Sequence, residues 1–354
     1  MAKDVPIMRK RKKIAVVGAG IGGLVSALKL AHEGFEVKVF ERSEYPGGKI
    51  RTLEANSGPI NIGPTVLTML PIFQNLFREV GEDIFDHLEL KEQNILARHW
   101  WSDGTEFDLF TNKNNTFDEI RNVFGSNAAN QYMEFFHTTE KMFTCFEKPV
   151  MKTVSPAPIE ILKEICKTPT VIPALFPFRT LDKYLKSKFS EPKLQQLFGR
   201  YATYVGGSPL NSPALMALVW QAEAKGVWTV KGGISSVAKA IERLAEDRGV
   251  EFIYGHRVIE IQQSKHTVNK VCLDDGTNYK ADAIIFNGDP RALALGLLGE
   301  GLRKVTKKTR NTPRSLSANV WGFESKHVNK NLVHHNVFFS DEVNSEFYEI
   351  QKGK

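Results

Sequence analysis

The feature that most constrains this chain is a glycine turn set between a short apolar run and a helix-spaced segment near the N-terminus. Residues 18–23 read Gly-Ala-Gly-Ile-Gly-Gly, a G-x-G-x-x-G pattern. Ile14–Val17 before it is apolar throughout, as expected of a buried parallel strand. Residues 20–33 after it carry Leu24, Ala27, Leu28 and Ala31 at helical spacing, and Gly34 is a natural stop. Phe35–Glu41 then alternates Phe35, Val37 and Val39 as a second strand. A strand–helix–strand unit of this kind predicts a doubly wound sheet.

Each glycine in the turn answers a physical need. Gly18 permits the sharp strand-to-helix reversal, Gly20 lets backbone approach a pyrophosphate, and Gly23 lets the helix pack close to the strand. The helix N-terminus then turns its free N–H groups toward the phosphates. Glu41 ends the second strand 18 residues past Gly23, near the spacing of a carboxylate that accepts bonds from ribose hydroxyls and repels a 2′-phosphate. The alternative is a glycine turn in an α/β protein that binds no nucleotide.

The remaining pattern is of mixed class. Residues 96–110 predict a hairpin around Asp103-Gly104, and 116–145 and 181–225 are helical, the latter broken at Gly206-Gly207 and Pro209. Residues 149–180 are rich in Pro and bulky apolar side chains. From 232 an amphipathic helix ending at Gly249 leads into short strands with a turn at Asp275-Gly276, a return to the nucleotide-binding sheet. Residues 318–324 and 336–340 predict further strands.

The longer string from Gly18 adds Leu24, Ala27, Leu30, Gly34, Val37, Val39, Glu41, Gly47 and Gly48. It resembles the FAD fingerprint of the amine oxidase and phytoene desaturase superfamily. The resemblance implies an α/β chain, α+β overall. A Rossmann-like FAD domain would comprise 1–75 and 232–295, and a substrate domain of mixed sheet and helices 76–231 and 296–354. It also implies that Ala19, Gly22, Arg42, Gly48 and Lys49 lie along FAD, that Gly63-Pro64-Thr65 approaches the flavin ring, and that Val258 meets the adenine. Many relatives carry an acid two residues before Gly63; this chain has Asn61.

LFGRYATYVGGSP, GVWTVKGG and NGDPRALALGLLG resemble bacterial carotenoid desaturases, most like the 1-hydroxycarotenoid 3,4-desaturases. That implies a C40 carotenoid substrate, loss of hydride to flavin and of a proton, and an apolar tunnel. Phytoene desaturase, carotene isomerase and amine oxidase are the alternative activities. Phe176, Phe178, Phe198, Tyr201, Tyr204, Trp220 and Trp228 are candidates for the tunnel or, equally, for plain core. Arg200, Asp103 and His99 are the polar candidates near the substrate, and no catalytic base stands out.

A carotenoid resides in the bilayer, so the Pro-broken stretch 169–178 reads as an interfacial anchor or a buried loop. Residues 1–13 hold six basic residues and one acid, out of a net charge of +7. They read as a solvated tail, a contact with anionic lipid or, without any recognisable module, a nucleic-acid contact. Three scattered cysteines without CxxC spacing argue against a disulfide framework or zinc site and fit a reducing cytosol. With no signal segment before the first strand, the expected location is cytoplasmic, with peripheral contact at the inner face of the membrane. The resemblance further implies a Pro/Gly-rich loop and helix that close over the flavin, and no second glycine-rich motif follows residue 301. The expectation is a C-terminally shortened chain, with an inactive nucleotide-binding remnant as the reading of a different class.

Overall fold

The structure is a computed structural model that describes residues 11–153, 155–172, 179–264, 267–326, 329–341 and 347–349. A four-stranded parallel sheet runs in the order Glu251–Ile253, Glu36–Phe40, Lys13–Val17, Ala283–Phe286. Its apolar strands are buried because both faces are covered. On one face Ile21–His32 and Ser235–Glu246 pack side by side. Gly23, Leu24, Ala27, Leu28 and Ala31 turn inward from the first helix, and Val237, Ala238, Ile241, Leu244 and Ala245 from the second. The other face meets an antiparallel meander, Val258–Ser264, Thr267–Leu273 and Asn278–Lys280. Ala15 and Phe40 of the sheet share a core there with Val258, Ile261, Val271 and Leu273. The meander's Asp275-Gly276 turn forms as its residue types predict: Gly276 has φ +86° and Asp275 caps Thr277 N–H at 2.8 Å.

The expected boundary at residue 75 falls inside a continuous core. Leu76, Phe77, Val80, Ile84 and Leu88 pack with Leu24, Leu28 and Ile241, on the nucleotide-binding side.

The second half is built on the predicted hairpin, Ile95–Trp100 with Glu106–Phe110. Asn336–Phe338 joins it in parallel. Helices Lys113–Phe124 and Ser126–Phe146, divided at Gly125 (φ +90°), pack beneath it. Tyr132, Phe135, Phe136, Phe189, Phe198 and Trp220 fill this core ring against ring. Trp220 Nε1 and Gln221 Nε2 both donate to Thr139 Oγ1 at 2.9 Å, which pairs these three buried side chains.

Residues 318–324 do not form the predicted strand. A strand needs a ladder partner. Here the neighbouring contacts are made by a side chain, Glu324, which accepts from Ser57 N–H at 2.5 Å and from Asn56 Nδ2 at 3.3 Å. Trp321 and Phe323 stand 84% and 80% exposed. Phe176, Phe178, most of the stretch 169–178 and residues 1–10 of the basic tail lie outside the described residues.

Candidate functional site

The glycine loop leaves the sheet at Gly18, whose φ of +101° a side chain would strain. Gly18 N–H donates to the Phe40 carbonyl at 2.8 Å, which ties the loop to the neighbouring strand. Gly23 is the tightest position: a Cβ there would sit 2.0 Å from the Gly18 carbonyl oxygen. Gly20 caps the helix Ile21–His32 without a side-chain hydrogen bond, and no acid lies in its first turn. The first-turn N–H groups therefore face outward uncapped, as an anion requires.

Two further segments close on this loop. Gly47 N–H donates to the Ala19 carbonyl at 2.9 Å, and a Cβ on Gly48 would lie 3.0 Å from Gly20 Cα. Glu41 is buried; its Oε2 accepts from Ala19 N–H at 2.7 Å and its Oε1 from Ser43 N–H at 3.0 Å. Each carboxylate oxygen keeps a second lone pair. The chain from Ile253 to His256 runs beside Glu41 and Ser43 through three backbone hydrogen bonds and delivers Val258, buried, two residues further on. The fold thus brings these sequence-distant residues side by side. Arg42 and Lys49 are exposed beside the loop.

Gly63 packs directly on this wall. A Cβ there would stand 2.1 Å from the Lys49 carbonyl oxygen, and Ile62 N–H donates to the Arg51 carbonyl at 2.9 Å. Pro64 and Thr65 follow it and are exposed. Asn61 lies where a Cβ on Gly233 would be, 2.7 Å from its Nδ2, and its Oδ1 is buried with no partner. The cradle that Cβ atoms would fill, the uncapped helix start, the spare lone pairs of Glu41 and the orphaned Asn61 oxygen together fit an adenine dinucleotide with a flavin.

One site residue was not visible in the sequence. Asn287 leaves the strand Ala283–Phe286 beside Gly18, and its amide covers Gly20 and Gly22: Cβ atoms at those positions would lie 3.1 Å from Nδ2 and 2.8 Å from Oδ1. Residues 284–289 were legible as a returning strand, but the side chain's place above the loop depends on the register Val17 to Phe286.

The polar candidates separate by environment. Asp103 is an exposed turn residue held by Lys193, with Thr105 N–H at 3.0 Å; these contacts lower its pKa to about 2. Arg200 enters a cluster with the buried Glu223 and Tyr201 and with Tyr204, which is half exposed. Tyr201 and Tyr204 hydroxyls each donate to Glu223 at 2.6 Å, and the guanidinium lies over the Tyr201 ring at 4.3 Å. Burial works against the Arg200 charge, but Tyr201, Tyr204 and Glu223 outweigh it and raise its pKa. Burial raises the Tyr204 phenol to about 12. His99 is fully buried; burial and then the Arg200 charge hold its pKa well below the ordinary range. Phe198, Tyr201 and Trp220 are buried core rings, and Trp228 packs against Gly226 and the nucleotide-side core.

Residues 21–327 match the family model for flavin-containing amine oxidoreductases. Over 97% of its length the chain is 43% identical to a hydroxyneurosporene desaturase of Cereibacter sphaeroides, of which it spans 69%. It is 32% identical to a 1-hydroxycarotenoid 3,4-desaturase of a Flavobacterium species, spanning 70% of it. Among solved structures an oxidoreductase of Methanosarcina mazei shares the fold, with a TM-score of 0.57, 17% identity, and 83% of this chain and 65% of that one covered.

Proposed function

This chain belongs to the flavin-containing amine oxidoreductase family, and we propose that within it the protein is an FAD-dependent carotenoid desaturase acting on the 3,4 bond of a 1-hydroxy carotenoid. The observation that carries the reading is the closed cradle of Gly18, Gly20, Gly23, Gly48 and Glu41, set in a chain similar to such desaturases along nearly its whole length. Bound FAD supplies the acceptor for one hydrogen as hydride; the second leaves the adjacent carbon as a proton, and the C–C bond becomes a double bond.

The residues of this chain bind and orient. Gly20 and Gly22 offer backbone to the pyrophosphate under the Asn287 amide, while Ala19, expected there too, has its N–H on Glu41 and its carbonyl on Gly47 and instead fixes the loop. Glu41 holds the loop shut and accepts from the ribose, Val258 borders the adenine, and Gly63-Pro64-Thr65 approaches the ring. Gly48, Lys49 and Arg42 line the outer edge. An apolar polyene makes contact with bulky side chains that keep water away.

A membrane surface supplies the substrate in this reading. Among the described residues no helix is long and apolar enough to cross a membrane. The helix Pro158–Lys167 has no buried residue. Ile161 and Ile165 lean on the helical core, while Ile159 and Leu162 are 58% and 54% exposed. An apolar stripe beside Lys163 and Lys167 suits peripheral contact at an interface.

The test is expression in cells that accumulate hydroxylated carotenoid precursors, alongside purification. A yellow, flavin-loaded protein and a red-shifted polyene are expected. A folded, FAD-loaded protein that leaves the precursor unchanged would overturn the desaturase assignment.

A further inference from the structure

Asn287, the residue over the glycine loop, is followed by Gly288, and the 354 residues hold no other Asn-Gly pair. In such a pair the glycine backbone nitrogen is placed to attack the asparagine Cγ and close a five-membered imide. A Cβ on the second residue would hinder that approach, and glycine has none. The bond from Cγ to the Gly288 nitrogen forms, the Cγ–Nδ2 bond breaks, and ammonia leaves with the proton of the Gly288 N–H. Water then opens the ring at either carbonyl. The product is aspartate or isoaspartate at position 287, and its mass exceeds that of asparagine by the difference between a hydroxyl and an amino group.

The local structure leaves this pair open to the reaction. Asn287 ends the ladder of the strand Ala283–Phe286, with its own N–H on the Val17 carbonyl at 2.8 Å. Asp289 is the next fixed point, accepting from Arg291 N–H at 2.9 Å and from Arg314 Nη1 at 2.7 Å. Gly288 lies untied between them, and its N–H has no partner among the described residues. Both Asn287 and Gly288 are exposed. Exposed backbone without hydrogen bonds rearranges locally at low cost. The leaving group is lightly held: Nδ2 donates to the Gly18 carbonyl at 3.3 Å, longer than the about 2.7–3.2 Å of an ordinary N–H···O bond. The fold also keeps glycine in second place, because a Cβ on Gly288 would lie 2.5 Å from the Phe286 ring.

What the reaction changes is the charge over the loop. The Asn287 amide lies against Gly20, Gly22 and Gly23, where Cβ atoms would stand 3.1, 2.8 and 3.0 Å from it. An aspartate at 287 is ionised at neutral pH. Its carboxylate would share this small space with the diphosphate of FAD, and like charges a few ångströms apart repel strongly away from bulk water.

We propose that Asn287-Gly288 is a self-modification site: without cofactor the pair cyclises and hydrolyses, the new carboxylate closes the cradle to FAD, and bound FAD holds the reaction off by covering the amide. The inference rests on the FAD reading of the glycine loop and goes beyond it, since it makes cofactor loading a condition for keeping the cradle competent.

The test incubates the full chain, FAD-loaded and FAD-stripped, in mildly alkaline buffer and follows it by peptide mass spectrometry. Asn278, exposed and followed by Tyr279, is the internal control. The stripped chain should gain the heavier peptide at 287 and not at 278, and the loaded chain should gain it several-fold more slowly. The modified fraction, separated by its added negative charge, should bind FAD about tenfold or more weakly in a flavin fluorescence titration. Asn287→Asp should show that loss from the outset. Asn287→Ser, which cannot cyclise, should lose no FAD affinity during the incubation. If Asn287→Asp fails to fold, the modified wild-type fraction decides, its fold checked by thermal melt. No modification at 287 in the stripped chain, equal rates with and without FAD, or a modified fraction that binds FAD as tightly as the fresh chain each overturns the proposal. A fresh wild type that binds no FAD overturns the parent reading and this inference with it; FAD binding that survives full modification overturns the inference alone.

Discussion

Glu41 Oε2 accepts a hydrogen bond from Ala19 N–H at 2.7 Å, so the acid expected to meet the ribose also fastens the phosphate loop. The second oxygen bonds Ser43 N–H at 3.0 Å. Glu41→Gln removes the charge and turns one acceptor into a donor facing a backbone N–H. A charge-assisted buried bond contributes about 1.5–3 kcal/mol. A fall in melting temperature and a loss of FAD affinity of about tenfold or more are expected, read by thermal melts with and without FAD and by flavin fluorescence titration. An unchanged FAD affinity would remove Glu41 from the cofactor site.

Two glycines separate steric need from conformational need. Gly23→Ala forces a Cβ to 2.0 Å from the Gly18 carbonyl oxygen, so the loop cannot close and the protein should lose FAD binding outright. Gly34→Ala meets nothing within 4 Å and is strained only by its φ of +88°. It should lower stability by about 1–2 kcal/mol and keep FAD affinity. Equal behaviour of the two variants would contradict the cradle.

His99 and His335 set the acid limit of stability. Burial, followed by the Arg200 charge, lowers both pKa values from 6.5. Unfolded, each histidine takes up a proton as pH falls through about 6.5; folded, each takes it up only at lower pH, His99 the further displaced. The unfolded state then binds more protons, so stability rises with pH below 6.5 and is level above it with respect to these groups. Each contributes a slope of at most about 1.4 kcal/mol per pH unit. Denaturant unfolding at a series of pH values should show the slope, and His335→Asn should reduce it. A slope unaltered in that variant would place the acid sensitivity elsewhere.

The exposed stripe on Pro158–Lys167 predicts a membrane effect without a folding effect. Replacing Ile159 and Leu162 with Asp should lower co-flotation with anionic lipid vesicles several-fold. Because both side chains are exposed, stability should change by no more than about 0.5 kcal/mol per site. Full retention on vesicles would assign membrane contact to another surface.

What the sequence by itself determined is local and periodic. The strand–loop–helix from Lys13 to His32, the stop at Gly34, Glu41 at the end of the next strand, and the Asp-Gly turns at 103–104 and 275–276 all follow from residue type and spacing within a few positions. Family resemblance then named Gly48, Gly63 and Val258, which no local rule marks. Only the tertiary structure decided which distant groups meet. Asn287 roofs the glycine loop because two strands 269 residues apart lie in one register. Residues 318–324 carry a strand pattern yet form none, because β structure requires a partner that pattern alone does not specify. His99 and Arg200 look like ordinary polar residues in sequence. Burial strips both of water, and packing leaves His99 Nε2 and Arg200 Nε without hydrogen-bond partners among the described residues. The closing contact of the glycine loop, Ala19 N–H on Glu41, combines both sources: spacing placed the acid at the strand's end, and the packed sheet brought its oxygen within 2.7 Å of the turn.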